Sequence, residues 1–227
     1  MPGPRPGRVE VIATIGGVRV RRRTGERALF FVAGMRIDAD GAPRAYHPSG
    51  SPPGLDFLAN AGHPGNFFGV VTDRHGNPVV QSAHDPAPGF FVSPTSLQNS
   101  DRAVEDPGRY VDASAIPYIV LPALVRDKGG ARLGDFATVR RRSNGKVAHA
   151  IYADGGPAGR IGEGSIALAE ALGLPSSPKH GGTNEKDIVY VLFAGSGNGR
   201  PRTKAEINAT GKKLLKAWGG LERLQKL

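Results

Sequence analysis

The chain has 227 residues, with 30 Lys and Arg against 20 Asp and Glu, so its formal net charge is +10. This length suits one domain with a proper core, whereas 33 Gly and 19 Pro are too many for a helical bundle. Because Cys is absent, disulfide frameworks, Cys-ligated zinc, thiol nucleophiles and iron–sulfur clusters are excluded. No apolar run approaches the ~18–20 residues that span a bilayer, and the first residues lack the apolar segment of a secretory signal peptide.

The positive charge lies at the two ends of the chain. Residues 1–27 carry +5 and residues 200–227 carry +6, whereas the segment between them carries −1. A basic chain suggests nucleic acid or an anionic surface as a partner. Here that argument applies only to the ends, which we expect to be solvated or to contact anionic surfaces.

Short apolar runs between glycine and proline turns predict a strand-rich fold. A disordered leader of residues 1–8 precedes the first hairpin. Hairpins are predicted at 9–15 with 18–21, at 67–71 with 79–81, and at 137–140 with 147–153; single strands at 28–32, 118–121 and 188–194; and loops over 41–66.

Two helices are predicted. Residues 165–172 are followed by Gly173 and then Pro175, which together stop a helix. A second helix, from about Thr203 to Trp218, has an apolar stripe and exposed lysines. A basic amphipathic helix can bind a membrane, but this stripe is short, so we expect the helix to dock on the body.

Common catalytic and metal-binding signatures are missing. The sequence has no Gly-x-Ser-x-Gly elbow, no Walker loop and no His-Glu-x-x-His motif. Its six His show no metal-ligand spacing, so we expect neither a metal nor another cofactor. Asp38 and Asp40 look like the start of a calcium loop, but the later oxygen ligands are missing. They form either a turn at a strand end or a pair of carboxylates at the rim of a cleft.

Asp154 and Glu163 stand out as a possible acid–base pair. An apolar strand brings Asp154 to its end, a Gly-Gly-Pro turn follows, and Glu163 precedes the first helix. Two facing carboxylates can cleave a glycosidic bond, one protonating the leaving oxygen and one activating water. The structural alternative is that Asp154 caps the turn and Glu163 interacts with the helix N-terminus. Spacing alone leaves both readings open. We expect Gly162 and Gly164 to keep bulk away from Glu163 so that a sugar ring can approach.

These segments resemble glycoside hydrolase family 75, the fungal-type chitosanases, over about residues 30–195. The hallmark of that family is an Asp-Thr-Gly-Pro turn followed by Gly-Glu-Ala-Ser-Ile-Ala-Leu-Ala. The departures here are Gly155 for Thr, Gly164 for Ala, and Ala39 where many members are expected to have Cys. The matching segments read Asp154-Gly155-Gly156-Pro157, Gly162-Glu163-Gly164-Ser165-Ile166-Ala167-Leu168-Ala169, Gly34-Met35-Arg36-Ile37-Asp38-Ala39-Asp40-Gly41, Ile116-Pro117-Tyr118-Ile119-Val120-Leu121-Pro122 and Gly134-Asp135-Phe136-Ala137.

The Asp154–Gly156 turn is also similar to the double-psi β-barrel lytic transglycosylases. Together the two resemblances imply a mainly β fold with a few helices (α+β), built on a double-psi-like barrel core with peripheral hairpins and a C-terminal helix. Residues 9–227 are then a single catalytic domain, with the barrel core over about 28–195 and the basic helix over about 203–218.

The resemblance implies an endo-acting, inverting hydrolase of β-1,4-linked glucosamine polymers. Asp154 and Glu163 match the catalytic acids of the family, and Glu163 is the favoured proton donor. The substrate-binding residues are expected to be Asp38 and Asp40, which suit glucosamine ammonium groups, together with Tyr152 and Arg160.

Two other functions stay open at this stage. The first is cleavage of peptidoglycan glycan strands, which the basic ends and the transglycosylase-like turn favour. The second is a basic adaptor that binds nucleic acid, although aromatic residues do not interleave with the arginine runs as a stacking platform requires. We expect no obligatory nucleic acid partner. The localisation stays open between action outside the cell or in the periplasm after non-classical export, and the cytoplasm.

Overall fold

A computed structural model describes residues 7–227 of the chain. The predicted leader, residues 1–8, therefore lies outside the described residues except for Gly7 and Arg8. The strands are β1 (Val9–Ile15), β2 (Val18–Arg23), β3 (Ala28–Asp38), β4 (Gly62–His63), β5 (Asn66–Phe67), β6 (Tyr118–Pro122), β7 (Phe136–Arg141), β8 (Val147–Gly156), β9 (Glu163–Ser165) and β10 (Thr183–Phe193).

Six of these strands close into a barrel. The order in the large sheet is β1-β2-β3-β10-β7-β8-β6-β9, and β9 pairs in parallel with β3, so the last strand meets the third. Strands β6 and β8 are also parallel, whereas β10 is antiparallel to both β3 and β7. This confirms the mainly β barrel with a few helices, and it is compatible with the double-psi resemblance.

The barrel strands read as nearly continuous apolar runs because both of their faces are covered. All five residues of β6 are buried, as are the last six of β10. Where β7 turns into β8, Gly145 has a φ of 72°, a left-handed conformation that glycine adopts without strain. This confirms the predicted Asn-Gly hairpin.

The hairpin of β1 and β2 lies outside the barrel. Among the described residues 7–227, its strand pairing with the barrel consists of Arg21 and Arg22 with Phe30 and Leu29 of β3. Three of its apolar residues, Ala13, Ile15 and Val20, nevertheless belong to the same core cluster as the barrel interior. The hairpin is therefore packed onto the body, with its Gly16–Gly17 turn at one end.

Residues 7–227 contain four α-helices: α1 (Ala123–Gly129), α2 (Ile166–Leu172), α3 (Lys204–Trp218) and α4 (Gly220–Gln225). Helices α2 and α3 confirm the two predicted ones. Gly173 ends α2 in the left-handed conformation, and Thr203 with Glu206 forms a capping box at the start of α3. No segment of residues 7–227 forms a helix that combines the length and the apolar character needed to cross a membrane.

Helix α3 docks on the barrel, as predicted. Its Gly211 lies so close to β8 that an added Cβ would be 2.5 Å from the ring of His149. Ile207 and Leu215 of the same helix are buried in the common core cluster. The glycine that interrupts the apolar stripe is thus the point of closest approach.

One predicted element is corrected, and two helices were missed. The hairpin predicted at 67–71 with 79–81 is an irregular loop with a single bridge between Thr72 and Pro78, because Pro78 has no N–H to extend a ladder. Helices α1 and α4 were not predicted. They have only 7 and 6 residues, and neither has a side-chain cap at its start.

Candidate active site

A cleft of about 1060 Å³ lies beside the barrel. Strand β3, the end of β8, strand β9, the loop of residues 41–66 and the segment 178–184 all contribute residues to it. The loop of residues 41–66 and the barrel strands thus line the same cleft. The ionisable residues of its lining are Arg36, Asp38, Asp40, Tyr46, Asp56, Asp154, Arg160, Glu163, Lys179 and His180.

Asp154 lies near the end of β8 and is 9% exposed. One of its oxygens, Oδ1, accepts hydrogen bonds from the backbone N–H of Ser96 at 3.0 Å and that of Gly155 at 2.7 Å, and from the Ser96 hydroxyl at 2.5 Å. Burial raises the pKa of Asp154, while these donors oppose the rise because they stabilise the carboxylate. Within residues 7–227, no hydrogen bond reaches Oδ2, which leaves that oxygen for a ligand in the cleft.

Glu163 is the first residue of β9 and is paired in register with Arg36 of β3. Burial raises the pKa of Glu163; Arg160 nearby opposes the rise, and the negative charge of Asp154 adds to it. Helix α2 begins three residues later with Ser165 as its N-cap, and its first turn contains no acidic residue. Ser165, and not Glu163, caps the helix, since its side chain accepts from the Leu168 N–H. The alternative in which Glu163 interacts with the helix N-terminus stays a prediction.

The two glycines beside Glu163 have a different role from the predicted one. Gly162 has a φ of 98°, and a Cβ there would lie 2.7 Å from the carbonyl oxygen of Gly34. A Cβ on Gly164 would lie 2.8 Å from the side chain of Leu168. Both glycines are buried against the protein, so they allow close packing of β9 and do not clear space for a sugar.

Asp38 and Asp40 form an acidic cluster with Asp154. Each of the three offers one carboxylate oxygen, and these oxygens lie within 4.8 Å of one another. Burial, together with the charges of Asp154 and Glu163, raises the pKa of Asp38 to about 8. Burial and the charge of Asp38 raise the pKa of Asp40 well above its ordinary range. The cluster therefore holds protons that isolated carboxyl groups would have lost.

The cluster is anchored by neighbouring hydroxyl and backbone groups. The Tyr46 hydroxyl donates to Asp40 Oδ1 at 2.8 Å, and the Ser93 hydroxyl donates to the same oxygen at 3.3 Å. The Asp40 N–H donates to Asp38 Oδ1 at 3.0 Å. Asp38 and Asp40 therefore match both of the predicted alternatives: they form a turn at the end of β3, and they also line the cleft. Three carboxylate oxygens would leave most of a calcium shell of six to eight oxygens to water.

The other two predicted substrate-binding residues, Arg160 and Tyr152, lie in different places. Arg160 lines the cleft. Tyr152 is 2% exposed, is absent from the cleft lining, and its hydroxyl lies 3.4 Å from the carbonyl oxygen of Leu121. The placement of Tyr152 in the substrate site is therefore wrong. A register shift in the pairing of β6 with β8 gives Tyr152 and Asp154 adjacent partners, Ile119 and Val120, so the two side chains face opposite sides.

Sequence reasoning missed three residues of the site. Ser96 holds Asp154 from a position 58 residues away, and no sequence signal points to it. Asp56 is 6% exposed, accepts hydrogen bonds from the Phe57 N–H and the Asn60 amide, and lines the cleft. As the single acid in the Pro- and Gly-rich loop of 41–66, it could have been singled out. Arg36 could have been identified as well, because it lies two residues before Asp38, and side chains two residues apart in a strand share a face.

A comparison with protein families identifies one match. The family described as fungal chitosanase of glycosyl hydrolase group 75 matches residues 91–218, which is more than half of the chain. This stretch contains Asp154 and Glu163, whereas Asp38, Asp40 and the β1–β2 hairpin precede it. Among curated proteins, none matches the chain.

Proposed function

Because the chain belongs to glycoside hydrolase family 75, the fungal chitosanases, we propose that it hydrolyses β-1,4-linked glucosamine polymers from within, by a single displacement with inversion. The family makes the chain a chitosanase-like glycoside hydrolase with a polysaccharide substrate. The proposal adds the residues, the linkage and the stereochemistry. It rests on one observation: Asp154 and Glu163 line one cleft and interact electrostatically there. Beyond the effect of burial, the charges of both raise the pKa of Asp38, and the charge of Asp154 also raises the pKa of Glu163.

Glu163 is the proposed proton donor. A general acid must still hold its proton at the working pH, and the raised pKa of Glu163 favours that state. The positive charge of Arg160 nearby opposes the rise in the pKa of Glu163. In the proposed step, the carboxyl group protonates the glycosidic oxygen as the bond to the anomeric carbon breaks.

Asp154 is the proposed base. Three hydrogen bonds hold its Oδ1, so the carboxylate keeps one orientation and presents Oδ2 to the cleft. A water molecule at Oδ2 would lose a proton to it while attacking the anomeric carbon from the face opposite the leaving oxygen. Because one displacement occurs, a β-linkage gives an α-configured product.

Asp38 and Asp40 are the proposed partners of a glucosamine ammonium group. A cation beside two buried carboxyl groups favours their ionised forms and offsets the cost of burying them. Arg160 is proposed to donate hydrogen bonds to sugar hydroxyls near Glu163. The cleft residues thus divide the work between recognition and bond cleavage.

Residues 9–227 are proposed to act as a single catalytic domain. The buried core cluster is continuous from Ile15 of the first hairpin, through the barrel, to Ile207 of α3 and Leu224 of α4. Glu26, beside the hairpin, accepts two hydrogen bonds from Arg223 at 2.7 Å and one from the indole N–H of Trp218. The first hairpin and the two C-terminal helices therefore pack onto the same body that carries the cleft.

The acid–base assignment is tested with Glu163→Gln and Asp154→Asn on glucosamine oligomers. Each variant is expected to lose about 10²–10⁴-fold in kcat, because it removes a group that transfers a proton. Glu170→Gln and Asp101→Asn are matched controls, since both side chains are exposed and neither lines the cleft. Retention of more than a few per cent of activity by both cleft variants would overturn the assignment.

The stereochemistry is read from the first products by proton NMR. Inversion predicts that the α-anomer forms first and equilibrates later by mutarotation. An initial β-anomer would show a double displacement and exclude Asp154 as a base acting on water.

A further inference from the structure

A small side pocket of about 140 Å³ continues from the cleft on the side of Glu163. The cleft and the side pocket share three residues: Arg36, Arg160 and Glu163. The outer wall of the pocket is the turn of the β1–β2 hairpin, through Ile15, Gly16 and Val18. This hairpin and Arg36 precede the residues that match the family, so one wall of the pocket comes from a part of the chain that the family match does not cover.

Size and lining limit what the side pocket can hold. Its volume equals roughly five water molecules at about 30 Å³ each, which is too little for a sugar ring with its substituents. Ile15, Val18 and Ile161 supply apolar surface. A short substituent of a sugar, with an apolar end, fits this space.

The charged residues of the pocket determine which polar group such a substituent can carry. Arg36 and Arg160 are exposed, and within residues 7–227 neither forms a salt bridge. Two free guanidinium groups repel an ammonium group and donate hydrogen bonds to an acceptor. The carboxyl group of Glu163 on the same wall, which holds its proton in the proposed mechanism, can accept a hydrogen bond at its carbonyl oxygen.

An amide satisfies all of these conditions. Its carbonyl oxygen accepts from arginine, its N–H donates to a carboxyl oxygen, and it carries no charge. We propose that the side pocket binds the acetamido group of an N-acetylglucosamine unit next to the scissile bond. The methyl group then packs against Ile15, Val18 and Ile161.

The cleft consequently has two ends of different character. The acidic cluster of Asp38, Asp40 and Asp154 suits a glucosamine ammonium group, and the arginine side suits an N-acetylated unit. The enzyme prefers bonds that join these two kinds of unit in partly acetylated chitosan. This inference rests on the proposed function, because it places the acetylated unit beside the bond that Glu163 protonates.

The test digests partly acetylated chitosan and determines, by mass spectrometry of end-labelled products, which unit occupies each newly formed end. The wild-type enzyme is expected to enrich N-acetylglucosamine at one of the two new ends several-fold over its frequency in the polymer. Replacing both arginines, Arg36→Gln with Arg160→Gln, is expected to bring the composition of that end back close to the polymer frequency, because hydrogen bonds from charged donors are lost.

A steric variant tests the pocket without changing its charge. A Cβ on Gly159, which lines the side pocket, meets no atom within 4 Å and its φ is not positive, so Gly159→Leu fills the space without backbone strain. It is expected to abolish the enrichment while the kcat/KM for fully deacetylated chitosan falls much less than that for the acetylated polymer. Arg19→Gln is the control for the arginine variants: it removes one positive charge from an exposed position of the β1–β2 hairpin that does not line the pocket, and its enrichment should equal that of the wild type.

The outcomes separate this inference from the proposed function. Failure of the wild-type enzyme to cleave fully deacetylated chitosan overturns the proposed function. Cleavage with new ends that match the polymer composition overturns the side-pocket inference alone. The inference also fails if the double arginine variant and Gly159→Leu retain the wild-type enrichment, or if the enzyme cleaves isolated sacculi faster than acetylated chitosan.

Discussion

Asp135 and the acidic cluster of Asp38, Asp40 and Asp154 are both buried, yet their surroundings differ completely. Asp135 is 0% exposed and accepts three backbone N–H groups, from Arg132 at 2.8 Å, Gly195 at 2.9 Å and Gly197 at 2.8 Å. It fastens the glycine-rich loop of residues 195–199 to the start of β7. The members of the acidic cluster instead lie beside one another at the wall of a cleft.

The comparison shows that burial alone does not reveal the role of a carboxyl group. A carboxylate surrounded by backbone donors stabilises the fold, because each donor lowers the cost of keeping it ionised. Carboxyl groups that crowd one another have raised pKa values and add to the cost of folding, which is typical of functional sites. The predictions below test this difference, from the largest expected effect to the smallest.

Asp135→Ala is expected to lower the free energy of unfolding by about 3–5 kcal/mol, because it leaves three buried N–H groups without an acceptor. Urea denaturation monitored by tryptophan fluorescence measures the loss. The folded fraction should retain wild-type kcat, since Asp135 does not line the cleft. A loss below about 1 kcal/mol would show that the loop satisfies its N–H groups in another way.

The acidic cluster should reveal itself in the pH dependence of stability. The pKa of Asp38 is about 8 in the folded chain against an ordinary value of 3.8. Between these values the folded state holds a proton that the unfolded state has lost. The contribution of Asp38 to the free energy of unfolding therefore falls as pH rises from about 4 to 8, by at most about 1.4 kcal/mol per pH unit, and stays constant above.

Asp38→Asn isolates this contribution. The variant should gain stability over the wild type as pH rises from 4.5 to 8.5, because it has no proton to lose there while its Oδ1 still accepts from the Asp40 N–H. Urea denaturation of both proteins across this range gives the difference curve. A difference that does not change with pH would contradict the raised pKa of Asp38.

The smallest change in the free energy of unfolding is expected for a carboxylate at the surface. Asp106 pairs with Arg102 at 2.8 Å, with side chains that are 36% and 51% exposed. Hydrogen bonding from Arg102 and from the Gly108 N–H lowers the pKa of Asp106. Asp106→Asn should change the free energy of unfolding by less than about 1 kcal/mol, since water screens such a pair. Thermal unfolding at low and high salt checks this, and a larger loss would show that the pair is less solvated than its exposure indicates.

Much of the fold followed from local sequence patterns. Alternating apolar residues and the Asn144-Gly145 turn predicted the β7–β8 hairpin, and Gly173 with Pro175 predicted the end of α2. Asp154 and Glu163 were identified from one continuous segment because a strand end, a turn and a helix start are each encoded by neighbouring residues. Their catalytic roles stay a proposal.

Elsewhere, local patterns misled. In a regular strand Tyr152 and Asp154 would share a face, but the register shift against β6 turns Tyr152 away from the cleft. Pro78 prevented the ladder that the apolar residues of 67–71 and 79–81 suggested. In both cases the outcome depended on a partner strand that the segment itself does not specify.

By itself, then, the sequence determined the long barrel strands, the two capped helices and the segment that carries Asp154 and Glu163, because turns, caps and apolar periodicity act between residues close together in the chain. Only the tertiary structure decided which groups surround those two acids. Ser96 reaches Asp154 across 58 positions, Arg36 meets Glu163 through parallel pairing of β3 with β9, and the β1–β2 hairpin closes a pocket beside Arg160. These contacts arise from closure of the barrel, which joins distant segments according to the packing of the whole core.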